Sequence, residues 1–314
     1  MRPPSAVKDW LLCTTMSFAM FVIAVFLPVL ALPLMLLFPL PFAILSLERG
    51  MSAALASGGV VALFIAGALA APLQAIAFFL LFCLAGSLLG LALRRAESGG
   101  DVLLAGVMAS VCCKLCVIFL IAYLTGVNLL SPDAATMERS IDIFASYGLF
   151  SDAAIPREEM VRAVEHEIFL MPHKILLLCA VEVLLCSLAA SRIHGKRTGE
   201  ILFALPPLGL WRFPKNILIA LLLGIFLELI ATHNEGMEVV LQAGENLGAV
   251  IRSLFVLQGL SVTWYFMEIR AWPRFAGIAV LLSAVLPFFG DIFSIVGVLD
   301  IGFDLRKRTG GTHG

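Results

Sequence analysis

From Gly50 to Leu93 the chain carries no charged side chain. In hydrocarbon every backbone N–H and C=O must bond within its own segment, so such a run folds as helix. A span takes about 20 residues at about 1.5 Å each. The run therefore holds two spans, about 51–70 and 73–93, divided by Pro72. The rest of the chain points the same way. Hydrophobic residues make up 61% and charged residues 14%, against about 25% charged in soluble domains. A soluble surface cannot be built from that composition. The expected fold is all-α: a polytopic transmembrane helix bundle, one membrane domain over residues 1–314.

The remaining spans follow from apolar runs and their breaks. Trp10–Leu47 is uncharged and interrupted by Pro28, Pro33, Pro39 and Pro41, which predicts spans at about 10–30 and 32–47. Arg2 and Lys8 precede the first without a small-residue cleavage site, the pattern of an uncleaved signal anchor. Further spans are expected at about 102–127, 167–190, 215–232 and 247–268. That makes about eight, plus a last apolar stretch at 275–303 broken around Pro287–Asp291. This last stretch either folds back as two short helices or crosses once as a long one.

Two connections are distinctive. In 131–166, Met137, Ile141, Phe144 and Tyr147 or Leu149 recur at helical spacing among Glu138, Arg139 and Asp142. That pattern predicts an amphipathic helix lying at the interface. A second polar helix starts near Arg157 and is expected to run into the 167–190 span. Residues 191–214 form a basic loop with Arg192, His194, Lys196, Arg197 and the run Trp211-Arg212-Phe213-Pro214.

Basic residues cluster at 2–8, 94–95, 192–215, 270–274 and 306–308, whereas 131–167 holds eight acids against three arginines. The positive-inside rule then puts the N-terminus and the 191–214 loop in the cytoplasm and exports 131–166. The 21 basic and 22 acidic residues nearly cancel, so net charge suggests no nucleic-acid partner. The constant partner is the lipid bilayer.

Ionisable and amide side chains at membrane depth are costly and mark function by default. The candidates are Gln74, Lys114, Glu182, Glu228, Gln258, Glu268, Asp291 and Asp300; of these Lys114, Glu182, Gln258 and Asp291 are the ligand-binding candidates. Lys114 and Glu182 sit mid-span on neighbouring helices, close enough for an ion pair. It reads either as a register-fixing pair or as a substrate- or proton-linked site. The seven cysteines all lie in apolar runs and read as reduced core residues. Cys113 and Cys116 share a helix face, as do Cys179 and Cys186, but four ligands at zinc spacing are not assembled. His166 and His173 read as a solvated helix entry. No P-loop, H-E-x-x-H or G-x-S-x-G is present, so no ATPase, zincin or hydrolase motif is found. The expectation is a non-enzyme without metal or cofactor. Gly86-x-x-x-Gly90 and Ala66-x-x-x-Ala70 are small-residue faces suited to close helix packing.

Three C-terminal motifs carry a resemblance. They are Pro206-Pro-Leu-Gly-Leu-Trp-Arg-Phe-Pro214, Leu257-Gln-Gly-Leu-Ser-Val262 leading into Trp264-Tyr-Phe266, and Gly297-Val-Leu-Asp-Ile-Gly-Phe-Asp-Leu-Arg-Lys307. With the span spacing, they make the chain resemble the YybS-like bacterial membrane family, whose function is unknown. That family is distantly similar to the S-components of energy-coupling-factor vitamin transporters. The resemblance implies a bacterial inner-membrane protein with an S-component-like core. It further implies a small-molecule ligand within the bundle and ATPase or transmembrane partner subunits. Fold analogy alone does not assign function. Two readings compete: a small-solute-binding transporter subunit lacking its own ATPase, and a non-transporting scaffold or regulator acting through 131–166 and 191–214. An intramembrane enzyme ranks third, since no nucleophile–base pair stands out.

Overall fold

The computed structural model describes residues 6–128, 134–146, 156–200, 202–234, 236–284 and 286–310, and every regular element among them is helical. Six helices are long and apolar enough to cross a membrane, and a bent C-terminal pair would make a seventh. The chain is thus an all-α polytopic bundle. It divides into two compact units, Met1–Ala204 and Leu205–Gly314.

The first unit begins with α1 (Ala6–Phe26). The expected span at 32–47 is instead two short helices, α2 (Pro28–Met35) and α3 (Pro39–Arg49). Proline opens each of them, since its missing N–H is not needed there and its fixed φ suits a first turn. Gly50, at φ +96°, then turns the chain into α4 (Met51–Ala68). The next crossing, Pro72–Arg95, is α5 (Pro72–Phe78), a π-helical turn at Phe79–Leu84, and α6 (Ala85–Arg95). The wide turn accommodates Cys83, which is fully buried against Gly58. α7 (Gly99–Thr125) starts at Ser98, whose hydroxyl oxygen accepts the Asp101 N–H at 3.2 Å. That is an N-cap of the usual kind.

Of the two small-residue faces, one packs as expected. Gly86 and Gly90 lie on α3 so closely that a Cβ at either would sit 2.3 Å from a carbonyl oxygen, Pro39 and Ala43 respectively. The Ala66–Ala70 face is not formed. α4 ends at Ala68, and Ala70 is an exposed residue with φ +50°. Above the glycine contact, Phe38 stacks on Phe82 with centroids 4.7 Å apart and meets Phe78 edge-on. Phe42, Leu45, Val61 and Ile65 complete this core.

α8 (Ala134–Ser146) is the amphipathic helix, with Met137 and Ile141 buried. The Tyr147 and Leu149 positions of its stripe lie outside the described residues. α8 packs on α9 (Arg157–Phe169), and Arg157 donates to Asp142 at 3.0 Å. α9 does not run on into the next span. It stops at Leu170, and α10 (Met171–Thr198) begins anew with Pro172 in its first turn. α10 also extends past Ser191, so 191–198 is helix rather than the start of a loop. Arg197 in that extra length bonds Glu48 of α3 at 2.6 Å.

In the second unit a short 3-10 turn (Leu208–Leu210) leads to α11 (Ile217–Thr232). At 16 residues, α11 is about 24 Å long, short of a full hydrocarbon thickness. α12 (Glu238–Ile269) is the longest helix among those described, at 32 residues. α13 (Arg274–Ser283) and α14 (Pro287–Phe303) meet at a 101° bend. This excludes one straight terminal helix. The break falls between Ser283 and Pro287, and Pro287 opens α14 instead of interrupting a helix. A short α15 (Leu305–Gly310) follows.

α12 and α14 touch backbone to backbone. A Cβ on Gly259 would lie 1.9 Å from the Phe293 carbonyl oxygen, and one on Gly297 2.0 Å from that of Phe255. α12 ends in a Schellman turn: the Trp272 N–H bonds the Met267 carbonyl at 3.0 Å and the Ala271 N–H that of Glu268 at 3.1 Å. The left-handed position of this motif is usually glycine. Here it is Ala271, at φ +50°.

Close packing at Gly86 gives a direct expectation. Gly86→Ala should destabilise the first unit by about 1–3 kcal/mol, the usual cost of overpacking, seen as a lower melting temperature in detergent. Ser87→Ala next to it would remove only the hydroxyl that donates to the Cys83 carbonyl, and should cost less.

Candidate functional site

The motifs that carry the resemblance converge on one buried polar cluster in the second unit. The glycine crossing of α12 and α14 is what assembles it. Gln258 adjoins Gly259, and Asp300 lies one turn beyond Gly297. With the backbones in contact, the Gln258 amide donates to Asp300 Oδ2 at 2.6 Å. The Gln258 carbonyl oxygen accepts the Phe213 N–H at 3.0 Å, tying in the 206–214 segment. Gln258 is 1% exposed and Asp300 6%.

Arg306 completes the cluster from α15 and is 2% exposed. Its Nε lies 3.4 Å from Asp300 Oδ2. One terminal nitrogen donates to the Gly209 carbonyl. The other donates to the Trp211 carbonyl at 3.0 Å and to Ser261 Oγ at 2.9 Å. Its guanidinium carbon sits 5.5 Å from the centre of the Tyr265 ring. Ser261 Oγ in turn contacts the Leu208 and Trp211 carbonyls at 2.6 and 2.9 Å. The guanidinium thus braces irregular backbone, which membrane proteins tolerate only where its polar groups are satisfied internally. Burial lowers the Arg306 pKa, and the Asp300 carboxylate opposes that shift.

Beside the cluster is a cavity of about 110 Å³ lined by Arg212, Phe213, Lys215, Gln258, Asp300, Ile301 and Asp304. Asp304 is engaged by Lys307 at 3.0 Å and Arg212 at 3.4 Å. The Lys307 hydrogen bond chiefly holds its carboxyl below the usual aspartate range. Asp300 Oδ1 differs: it is buried and has no hydrogen-bond partner. A carboxylate oxygen stripped of water and donor costs free energy.

The remaining candidates separate. Lys114 Nζ meets Glu182 Oε2 at 2.8 Å, and Ser110 Oγ donates to Glu182 Oε1 at 2.9 Å while accepting from Lys114 at 2.8 Å. The expected ion pair is therefore present in the first unit, between α7 and α10. It works because α10 is longer than its apolar run. Lys114 lies about 22 Å from the Gly99 end of α7 and Glu182 about 24 Å from the Thr198 end of α10, at 1.5 Å per residue. Asp291 does not join Gln258. It pairs with Arg252 on α12, where both side chains are more than half exposed. Glu268 accepts from the Trp264 indole at 2.9 Å. Glu228 lies over Gly244 and Gly248. Gln74 is exposed near the start of α5.

No three His, Cys, Asp or Glu side chains among the described residues could jointly hold a metal. Cys113 is buried while Cys112 and Cys116 are exposed, and all seven cysteines are free. His166 and His173 fall on separate helices, α9 and α10. Ser261 and Arg306 do not stand out in the sequence, because a serine is ordinary in a helix and Arg306 reads as a terminal topogenic charge. The signal that could have found them is membership in the quoted motifs.

The model of a family described as predicted membrane protein (DUF2232) matches residues 15–301. The chain belongs to this family. DUF2232 membership covers both units, from within α1 to Ile301 of α14. The uncharacterized protein YybS of Bacillus subtilis (strain 168) is 23% identical over 98% of this chain and 99% of its own length. No solved structure matches the chain.

The Lys114–Glu182 pair yields a sharp expectation. Removing one partner of a buried pair leaves a bare charge and costs about 3–5 kcal/mol. Lys114→Ala should therefore melt well below the wild type in detergent. Lys114→Met with Glu182→Leu should recover most of that loss. A double variant as unstable as the single one would show that the pair is not coupled.

Proposed function

We propose that this DUF2232 protein is a small-solute-binding membrane subunit, and that its solute is held at the cavity beside Gln258 and Asp300. The carrying observation is Asp300, which lines the cavity and of whose two carboxylate oxygens one, Oδ1, is buried without a hydrogen-bond donor among the described residues. The neighbouring groups are fixed: Gln258 by Phe213 and Asp300, Asp300 Oδ2 by Gln258 and Arg306. Such a wall is preorganised, so little ordering remains to oppose binding. With no ATPase motif in the sequence, any transport would rely on partner subunits. The reading is non-enzymatic.

The proposal places the chain in the bacterial inner membrane with its N-terminus in the cytoplasm, in keeping with the basic clusters. That side would also hold Arg49 and Arg197, which bond Asp9 and Glu48 in the first unit. The scaffold reading is less favoured by the geometry of 191–214. Arg197 is engaged by Glu48, and Ser191 Oγ accepts the Phe203 N–H at 3.0 Å, so part of that segment is committed within its own unit.

Native mass spectrometry of the full chain, extracted gently from its own membranes, tests this. A retained small molecule is expected on the wild type and on Asp291→Asn, and is expected to be lost from Asp300→Asn. Asp300→Asn preserves shape and removes charge, and its melting temperature reports whether it folds. A folded Asp300→Asn protein that retains the same molecule would refute the site. So would a wild type that stays empty across growth conditions.

A further inference from the structure

A second cavity in the Leu205–Gly314 unit has a different character. It measures about 260 Å³ and is lined by Val262, Thr263, Phe266 and Met267 of α12, Arg270 and Trp272 of the following turn, Val280 of α13, Val296 of α14, and Leu305. Its frame follows from the bend between α13 and α14. α13 rests on α12 where Gly277 meets the Trp264 ring; a Cβ there would lie 2.7 Å from Trp264 Cζ3. The backbone contact at Gly259 and Gly297 brings α14 to α12. Because α13 and α14 diverge by 101°, a slot stays open between them over the last turns of α12.

The mouth of that slot is built from the end of a long span. The Schellman turn fixes Arg270, Ala271 and Trp272. Its strained Ala271 is a conformation that persists where surrounding structure holds it. Trp272 is 53% exposed. An exposed tryptophan beside an arginine at the end of a span is the usual marker of the headgroup level. Arg270 is exposed, and among the described residues its side chain makes no ion pair or hydrogen bond. Of the other described cations near this end of the unit, Arg306 is engaged by Asp300, and Arg212 and Lys307 by Asp304, while Lys215 lines the Asp300 cavity and not this slot. Among the described residues no carboxylate lines the slot.

We propose that this slot binds an anionic phospholipid, with the phosphate on Arg270 and an acyl chain along Val262, Phe266, Val280 and Val296. The chemistry selects the ligand. An apolar slot at headgroup level accepts a hydrocarbon chain, and an unengaged guanidinium in a lining without acids favours a phosphate that carries net negative charge. A zwitterionic choline headgroup would bring its own cation to Arg270 and gain less. This site is separate from the Asp300 cavity, so either can fail without the other.

The test is native mass spectrometry of the full chain, delipidated in detergent and titrated with dioleoyl phosphatidylglycerol or dioleoyl phosphatidylcholine. The wild type should retain the first lipid in about fivefold preference. Arg270→Ala should abolish the preference and Arg270→Lys should keep most of it. Val280→Phe, which fills the slot, should lower retention of phosphatidylglycerol with Arg270 intact. Excess inorganic phosphate should not displace the lipid, since it lacks the chain. Melting temperatures without lipid report whether each variant folds. Equal retention of both lipids by the wild type, unchanged preference in a folded Arg270→Ala protein, or displacement by inorganic phosphate would each overturn the proposal.

Discussion

A polar atom withdrawn from water must find a partner inside the protein, and in a chain this apolar few partners exist. The second unit depends on how that constraint is met around Arg306. A guanidinium has five donors and no acceptor. Here the two terminal nitrogens donate to the Gly209 and Trp211 carbonyls and Ser261 Oγ, and Nε lies 3.4 Å from Asp300 Oδ2 as an ion pair. Those contacts hold a non-helical segment against α12 and tie α15 to both. Gln258 adds the link from α14 to Phe213. The 206–214 segment, α12 and the end of α14 are thus joined by one network of shared donors. In such a network a partly satisfied group is costly. Asp300 Oδ1 is a carboxylate oxygen that this network leaves without a donor among the described residues, and Asp300 lines the neighbouring cavity.

The network needs short distances, and glycine supplies them. Backbone carbonyls of Phe255 and Phe293 occupy the places where side chains would stand at Gly297 and Gly259. Side chains as short as Asp300 and Gln258 can then meet directly. The first unit reaches the same result by separate means. Gly86 and Gly90 bring α6 onto α3, and Lys114, Ser110 and Glu182 form a closed triad between α7 and α10. The difference is chemical. Both Glu182 oxygens are engaged there, so that triad reads as a fixed structural pair, whereas the Asp300 carboxylate is engaged on one side only.

Much of the architecture was legible in the sequence, for reasons that can be named. The charge-free run between Arg49 and Arg94, divided at Pro72, located α4 and the Pro72–Arg95 crossing, and the apolar run around Lys114 located α7. The mid-span positions of Lys114 and Glu182 foretold their contact. The Met137 and Ile141 stripe gave the buried face of α8. The departures also have physical causes. Proline can begin a helix as well as end one, so Pro28, Pro39 and Pro287 opened helices where breaks were expected nearby. Helix propagation does not require apolar residues, so α10 continued through Arg192–Thr198 beyond the apolar run. Of the site, Gln258 was visible as an amide at membrane depth. Asp291 was singled out by the same rule, but it faces outward to Arg252, because residue type and depth do not fix which side of a helix a residue occupies. Arg306 was hidden among terminal charges whose usual role is orientation.

The most direct measurement is a double-mutant cycle between Asp300→Asn and Arg306→Gln, read by unfolding of the full chain in detergent. If one network joins the motif segments, the two changes are coupled, and the coupling energy should reach about 1.5 kcal/mol or more, within the range for residues in one network. Strict additivity, within about 0.3–0.5 kcal/mol, would mean that Asp300 and Arg306 act independently, and would contradict the shared cluster on which the proposed site is built.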